Sequence, residues 1–171
     1  KPTSQKRDVG HPHREQGKRS AIRVQKLPVD GSYNIDRAVC PGKLIDMYEV
    51  TVEREFSSGH YLRNYRGKCE NPHGHNYKVR ITLKGETLDA SGLLLDFKDL
   101  KHVMRPVIDR LDHQMLNDLA PFTEINPSAE NLARFFYDET NQQLAVLTQG
   151  RVGVKDCTIY ETDTTTATYY E

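Results

Sequence analysis

The stretch HGHNYKVRITLK (His73–Lys84) limits the fold more than any other part of the chain. Tyr77, Val79, Ile81 and Leu83 alternate with Lys78, Arg80, Thr82 and Lys84. A period of two is that of a strand buried on one face. His73 and His75 share the parity of the apolar set, so the strand turns both imidazoles to the core side. A helix would splay the same pair apart.

The rest of the chain builds around that strand. Tyr48, Val50 and Val52 alternate with Glu49, Thr51 and Glu53, which predicts a first strand beginning near Met47. Residues 85–92 read as a connection. Asp96 then caps a helix whose Phe97, Leu100, Met104, Val107, Ile108 and Leu111 keep helical spacing. Pro106 lacks the N–H that would bond the His102 carbonyl, so a bend or early break is expected there. A second helix is expected from Asn126 as cap and Pro127 as first helical residue, with Ala129, Leu132, Ala133, Phe136, Thr140 and Leu144 as its stripe. Two strands close the chain, near Gly153–Glu161 and Thr165–Tyr170. The order strand, strand, helix, helix, strand, strand predicts an α+β layer, one antiparallel sheet with both helices on one face. Residues 1–46 have few apolar positions and several Pro and Gly. They read as an N-terminal extension, mostly loop, before a domain at 47–171.

CENPHGHNYKV (Cys69–Val79) places a thiol and two imidazoles within seven residues. Side chains at i and i+2 stand roughly 6.5–7 Å apart along a strand, so His73 and His75 can reach one ion at about 2 Å each. His60, at the end of FSSGH in the first strand, is the best third ligand, because a hairpin partner can bring it alongside. Three histidines and an open position make a catalytic zinc arrangement. Cys69 as a fourth ligand would make a closed structural site. The HxH pair alone is weak, and sulfur as ligand or as catalyst stays open at this point. In LDHQMLN, Asp112 stands beside His113, the combination of an orienting carboxylate and a base, although such neighbours are commonly capping or surface pairs. Glu161, in YET, lies at a strand-to-turn edge, where an ordinary exposed charge is the plain alternative.

FSSGH, CENPHGHNYKV, GLLLDF, LDHQMLN, NPSAENLA and YET, in this order over residues 47–171, resemble the 6-pyruvoyl-tetrahydropterin synthase / 6-carboxy-tetrahydropterin synthase family. The resemblance implies the tunnelling fold, a four-stranded antiparallel sheet with two helices on one face. Three subunits then close a barrel, and two trimers stack as a homohexamer. It implies Zn2+ held by His60, His73 and His75, with Cys69 as a catalytic base rather than a ligand. Asp112 and His113 match the pair that completes the relay across a subunit interface. Glu161 matches the acid that anchors the pterin's 2-amino and ring N–H donors. Ser128, Ala129 and Glu130 match the segment lining the pterin pocket, although Ala129 lacks the hydroxyl of relatives with Thr. The implied substrate is a small-molecule pterin triphosphate.

The CxxxHGH spacing resembles the bacterial carboxy enzymes of the queuosine pathway, whereas the pyruvoyl enzymes of animals carry a longer insertion. The favoured reaction is therefore the carboxy one, with 6-pyruvoyl-tetrahydropterin synthase as alternative. Charge balances at 24 basic and 24 acidic residues, so the chain as a whole makes no case for nucleic acid. Residues 1–26 hold eight Lys/Arg against two Asp/Glu. A solvated tail is the plainer reading, and a zinc-stabilised module touching RNA through that tail is the rival class. Three cysteines, Cys40, Cys69 and Cys157, fit free thiols in a reducing cytoplasm. No run is apolar enough for a membrane span or a secretory signal.

Overall fold

A computed structural model describes residues 46–171, so the expectation for the extension lies, but for Asp46, outside the described residues. The elements are β1 (Tyr48–His60), β2 (His73–Gly85), α1 (Phe97–Leu111), α2 (Ala129–Thr148), β3 (Gly153–Thr162) and β4 (Thr165–Tyr170). The strands form one sheet in the order β1-β2-β3-β4, and every neighbouring pair is antiparallel. Both helices enter between β2 and β3 and cover the face carrying Tyr77, Val79, Ile81 and Leu83, all fully buried. The predicted α+β layer is therefore the one observed. Phe56 stacks on Tyr77 with centroids 5.1 Å apart and meets Phe136 of α2 at 5.5 Å, which joins sheet and helix.

Helix details differ from the expectation in three places. Asp96 caps α1, accepting from the Lys98 N–H at 2.8 Å, but Phe97 is exposed and Val103 takes the buried place instead. Pro106 does not break α1, which continues to Leu111. Pro106 lies on the exposed side, where water can satisfy the freed carbonyl while Val103, Met104, Val107 and Ile108 hold the other side in the core. Finally, α2 starts at Ala129 with Ser128 as its cap, rather than at Pro127 with Asn126.

Asn126 is engaged elsewhere. Its side chain accepts from the Arg63 N–H at 2.8 Å and donates to the Arg63 carbonyl at 3.0 Å. Asn117 does the same to Tyr61, at 2.9 Å in both directions. Two amides thus stand in for a strand partner where the chain leaves β1, and they fix the exit from His60. Asn117 is 4 % exposed, so Asn117→Ala should strand both backbone groups of Tyr61. The expected cost is about 1–3 kcal/mol, or a thermal midpoint lower by roughly 3–10 °C. An unchanged midpoint would mean that Tyr61 finds other partners.

Candidate metal centre

The β1–β2 register pairs His60 directly with His73, and Ser58 with His75. Paired residues point to one face of a sheet, so three imidazoles gather at the end of the hairpin. Their ligating atoms all lie within 4.8 Å of one another. His60 is buried and the other two are partly covered.

Two rings are held by backbone carbonyls. His60 Nδ1 meets the Pro127 carbonyl at 2.8 Å, and His73 Nδ1 meets the Asn71 carbonyl at 2.8 Å. A carbonyl can only accept, so each Nδ1 carries the proton, and in a neutral ring Nε2 is then a bare lone pair. The Nε2 atoms of His60 and His73 are 3.1 Å apart. His75 Nε2 is buried without a hydrogen-bond partner among the described residues. A cluster of ligating atoms of this kind could hold a cation. Three imidazole nitrogens favour zinc over hard ions such as magnesium or calcium. The residues present therefore fit a metal, and the two carbonyls are the orienting partners such ligands ordinarily have.

Residues 49–171 match the family described as 6-pyruvoyl tetrahydropterin synthase. The chain belongs to that family. Human 6-pyruvoyl tetrahydrobiopterin synthase is 38% identical over 107 residues, which cover 60% of this chain and 70% of that protein. The Bacillus subtilis 6-carboxy-5,6,7,8-tetrahydropterin synthase is 33% identical over 105 residues, 58% of this chain and 70% of that protein. The solved Caenorhabditis elegans 6-pyruvoyl tetrahydropterin synthase superposes with a TM-score of 0.66 at 27% identity, covering 74% of this chain and 97% of the other. Relatives in the family thus bear both product names.

The other expected residues of this tetrahydropterin synthase domain take separate places. Cys69 lies half-buried in a short 3-10 turn, Lys68–Glu70, and is not among the clustered ligands. Asp112 and His113 lie on the outer edge of β1. The His113 N–H donates to the Ser57 carbonyl at 2.6 Å, and Asp112 Oδ1 accepts from the Ser57 N–H at 2.8 Å. Asp112 Oδ2 holds His113 Nδ1 at 2.9 Å. The Ser57 N–H, ahead of His113 itself, keeps the Asp112 carboxyl below its ordinary range. His113 has φ 57°, a left-handed conformation uncommon for a residue with a side chain. Its ring is 79 % exposed and borders a cleft of about 480 Å3 with Gly59, Gly74, His75 and Met115.

Glu161 continues the inward parity of Cys157 and Ile159 and comes within 3.4 Å of His60 and 3.6 Å of His75. Ser128 Oγ is committed to the Asn131 N–H of α2, Ala129 is half-buried and Glu130 is exposed. Sequence reasoning missed Tyr77 as a neighbour of the site: its buried hydroxyl has no partner among the described residues, and its ring lies 5.4 Å from His75. It also missed the orienting carbonyls, which no residue type announces.

Burial lowers the pKa of both His60 and His75 from the ordinary 6.5. An unfolded chain would take up protons near 6.5 that the fold still refuses, so acid favours unfolding. Metal-free protein should therefore hold its stability above pH 6.5 and lose it as pH falls through the lowered folded values. Thermal unfolding in chelator across pH 5–8 checks the sign. A midpoint that rises on acidification would contradict it.

Proposed function

We propose that the chain is a zinc-dependent 6-carboxy-5,6,7,8-tetrahydropterin synthase. It would convert 7,8-dihydroneopterin triphosphate and water to 6-carboxytetrahydropterin, acetaldehyde and triphosphate. The convergence of three imidazoles, two of them turned by backbone carbonyls so that Nε2 faces the cluster, with the Cys69 thiol outside that cluster, carries this reading. The short Cys69–His73 spacing supports the carboxy product. The 38% identity to the human protein supports 6-pyruvoyl-tetrahydropterin synthase as the second reading.

His60, His73 and His75 would hold the zinc, which when bound supplies Lewis acidity toward the substrate's side-chain oxygens. Cys69 removes and returns protons on the side chain. His113, its Nδ1 proton fixed on Asp112, exchanges protons through Nε2. Glu161 accepts from the 2-amino group and ring N–H of the pterin, with Ser128, Ala129 and Glu130 along the ring, and this placement lowers the barrier by orientation.

Asp112 and His113 serve a neighbouring copy in this scheme. They lie beyond β1, whereas Glu161 lies on β3, and strands spaced about 4.8 Å apart put roughly 14 Å between those lines. Their exposure suits a partner's site. Beyond the segment at residues 113–115, the outer edges of β1 and β4 pair with no strand among the described residues, and such rows of N–H and C=O groups invite another copy. A barrel of three subunits, doubled to a hexamer, would use both edges. Among the described residues no helix is long and apolar enough to cross a membrane. The free thiols of Cys69 and Cys157 suit a reducing cytoplasm, where we place the reaction.

Incubation with 7,8-dihydroneopterin triphosphate, with and without chelator, tests the assignment by product mass. The expected products are 6-carboxytetrahydropterin and acetaldehyde, both lost with chelator. A pyruvoyl product without acetaldehyde would replace the first reading by the second. Absence of any conversion by metal-loaded protein would overturn both.

A further inference from the structure

Glu161 stands in an unusual place for a group expected to hold an organic ring. Its Oε1 lies 3.4 Å from His60 Nε2 and 3.6 Å from His75 Nε2. These are long for charge-assisted hydrogen bonds, which close to about 2.7–2.9 Å. They instead match two of the three edges that a fourth ligand would share with the histidines. Glu161 lies outside the set of atoms within 4.8 Å of one another, so closing the third edge takes a rotation of its side chain toward His73. Four ligands at about 2.0–2.1 Å from a tetrahedral zinc stand about 3.3–3.4 Å from one another. The His60–His73 separation of 3.1 Å belongs to the same set. The carboxylate approaches from the His60–His75 side, and those two rings are its only ion-pair contacts among the described residues. A carboxylate facing the His60 Nε2 lone pair is unfavourable unless a proton or a metal cation lies between.

The backbone leaves the side chain free to depart. The β3–β4 register shifts between Tyr160 and Thr162, which makes Glu161 the extra residue of a bulge, and a bulge re-aims its side chain. The side chain is 31 % exposed. Among the described residues no hydrogen bond holds it in place.

Resting on the metal reading above, we infer that Glu161 is a displaceable ligand. In the resting enzyme its carboxylate closes the corner that the three histidines leave open, and it moves to the N–H donors of the pterin when substrate oxygens take that corner. One carboxylate would thus link metal accessibility to recognition of the correct ring. A molecule with suitable hydroxyls but no pterin would have to displace the carboxylate without offering it new partners. The residue would therefore select substrate at the metal itself.

The full chain, loaded with Co2+ or titrated with Zn2+ against a chromophoric chelator, tests this without turnover. Glu161→Gln should bind zinc about 10–100-fold more weakly than wild type and change the visible cobalt spectrum. Glu161→Asp, which keeps the charge, should recover part of the affinity. Adding 7,8-dihydroneopterin to cobalt-loaded wild type should shift its spectrum, while glycerol at the same concentration should not. Equal zinc affinity and an identical cobalt spectrum in Glu161→Gln and wild type would overturn the inference and leave the three-histidine site standing. Failure of wild type to bind either metal would sink both. Matching thermal midpoints of the metal-free proteins separate a lost ligand from a damaged fold.

Discussion

Cys69→Ala is expected to lower turnover by about 10²–10⁴-fold, the range of a positioned acid–base group, while metal content stays at the wild-type level. The expectation rests on where the sulfur is. Cys69 occupies the turn just before β2, and the ligand cluster consists of His60, His73 and His75 without it. The Cys69 carbonyl accepts from the Leu62 N–H at 2.8 Å, which ties the turn to the chain leaving β1. That hydrogen bond does not involve the side chain, so alanine should leave the turn intact. Metal analysis and single-turnover rates on one preparation check both halves. Loss of metal in step with activity would make sulfur a ligand and remove it as the base.

His73→Ala should do the reverse and empty the site. Metal affinity should fall beyond the about 10–100-fold that losing an orienting partner costs, and turnover should fall with it. His73 pairs with His60 across the hairpin, and its Nε2 is 3.1 Å from that of His60. Without it, two nitrogens and at most the displaceable Glu161 carboxylate remain, one imidazole short of the resting set. The fold should survive, because His73 is the first residue of β2 and is only partly covered. Full metal occupancy in this variant, measured after dialysis against a weak chelator, would reject the ligand set.

Much of the scaffold was legible because its signals are local. The alternation from Tyr77 to Leu83 is a property of neighbours in sequence, and it placed His73 and His75 on the core side together. The Asp96 cap is equally local. Pro106 misled because the local rule counts one lost hydrogen bond, whereas the helix is held by the buried side opposite it. Asn126 misled because its amide suits a helix cap as well as it suits the Arg63 backbone, and only the packed chain decides between them. Phe97 shows the same limit. Helical spacing included it in the apolar stripe, but it is the first residue of α1 and stays exposed, whereas Leu100 one turn on is buried.

By itself the sequence determined the strand and helix order, the shared face of the HxH pair and the family whose motifs it carries. Tertiary structure alone decided that His60 stands in register with His73, that the Pro127 carbonyl, 67 residues further on, turns the His60 ring, and that Glu161 faces the histidines from another strand. The reason is physical. Periodicity and capping act within a turn or two of the chain. The position of a lone pair depends on register, on loop closure and on carbonyls contributed by distant elements, none of which leaves a residue-type signature.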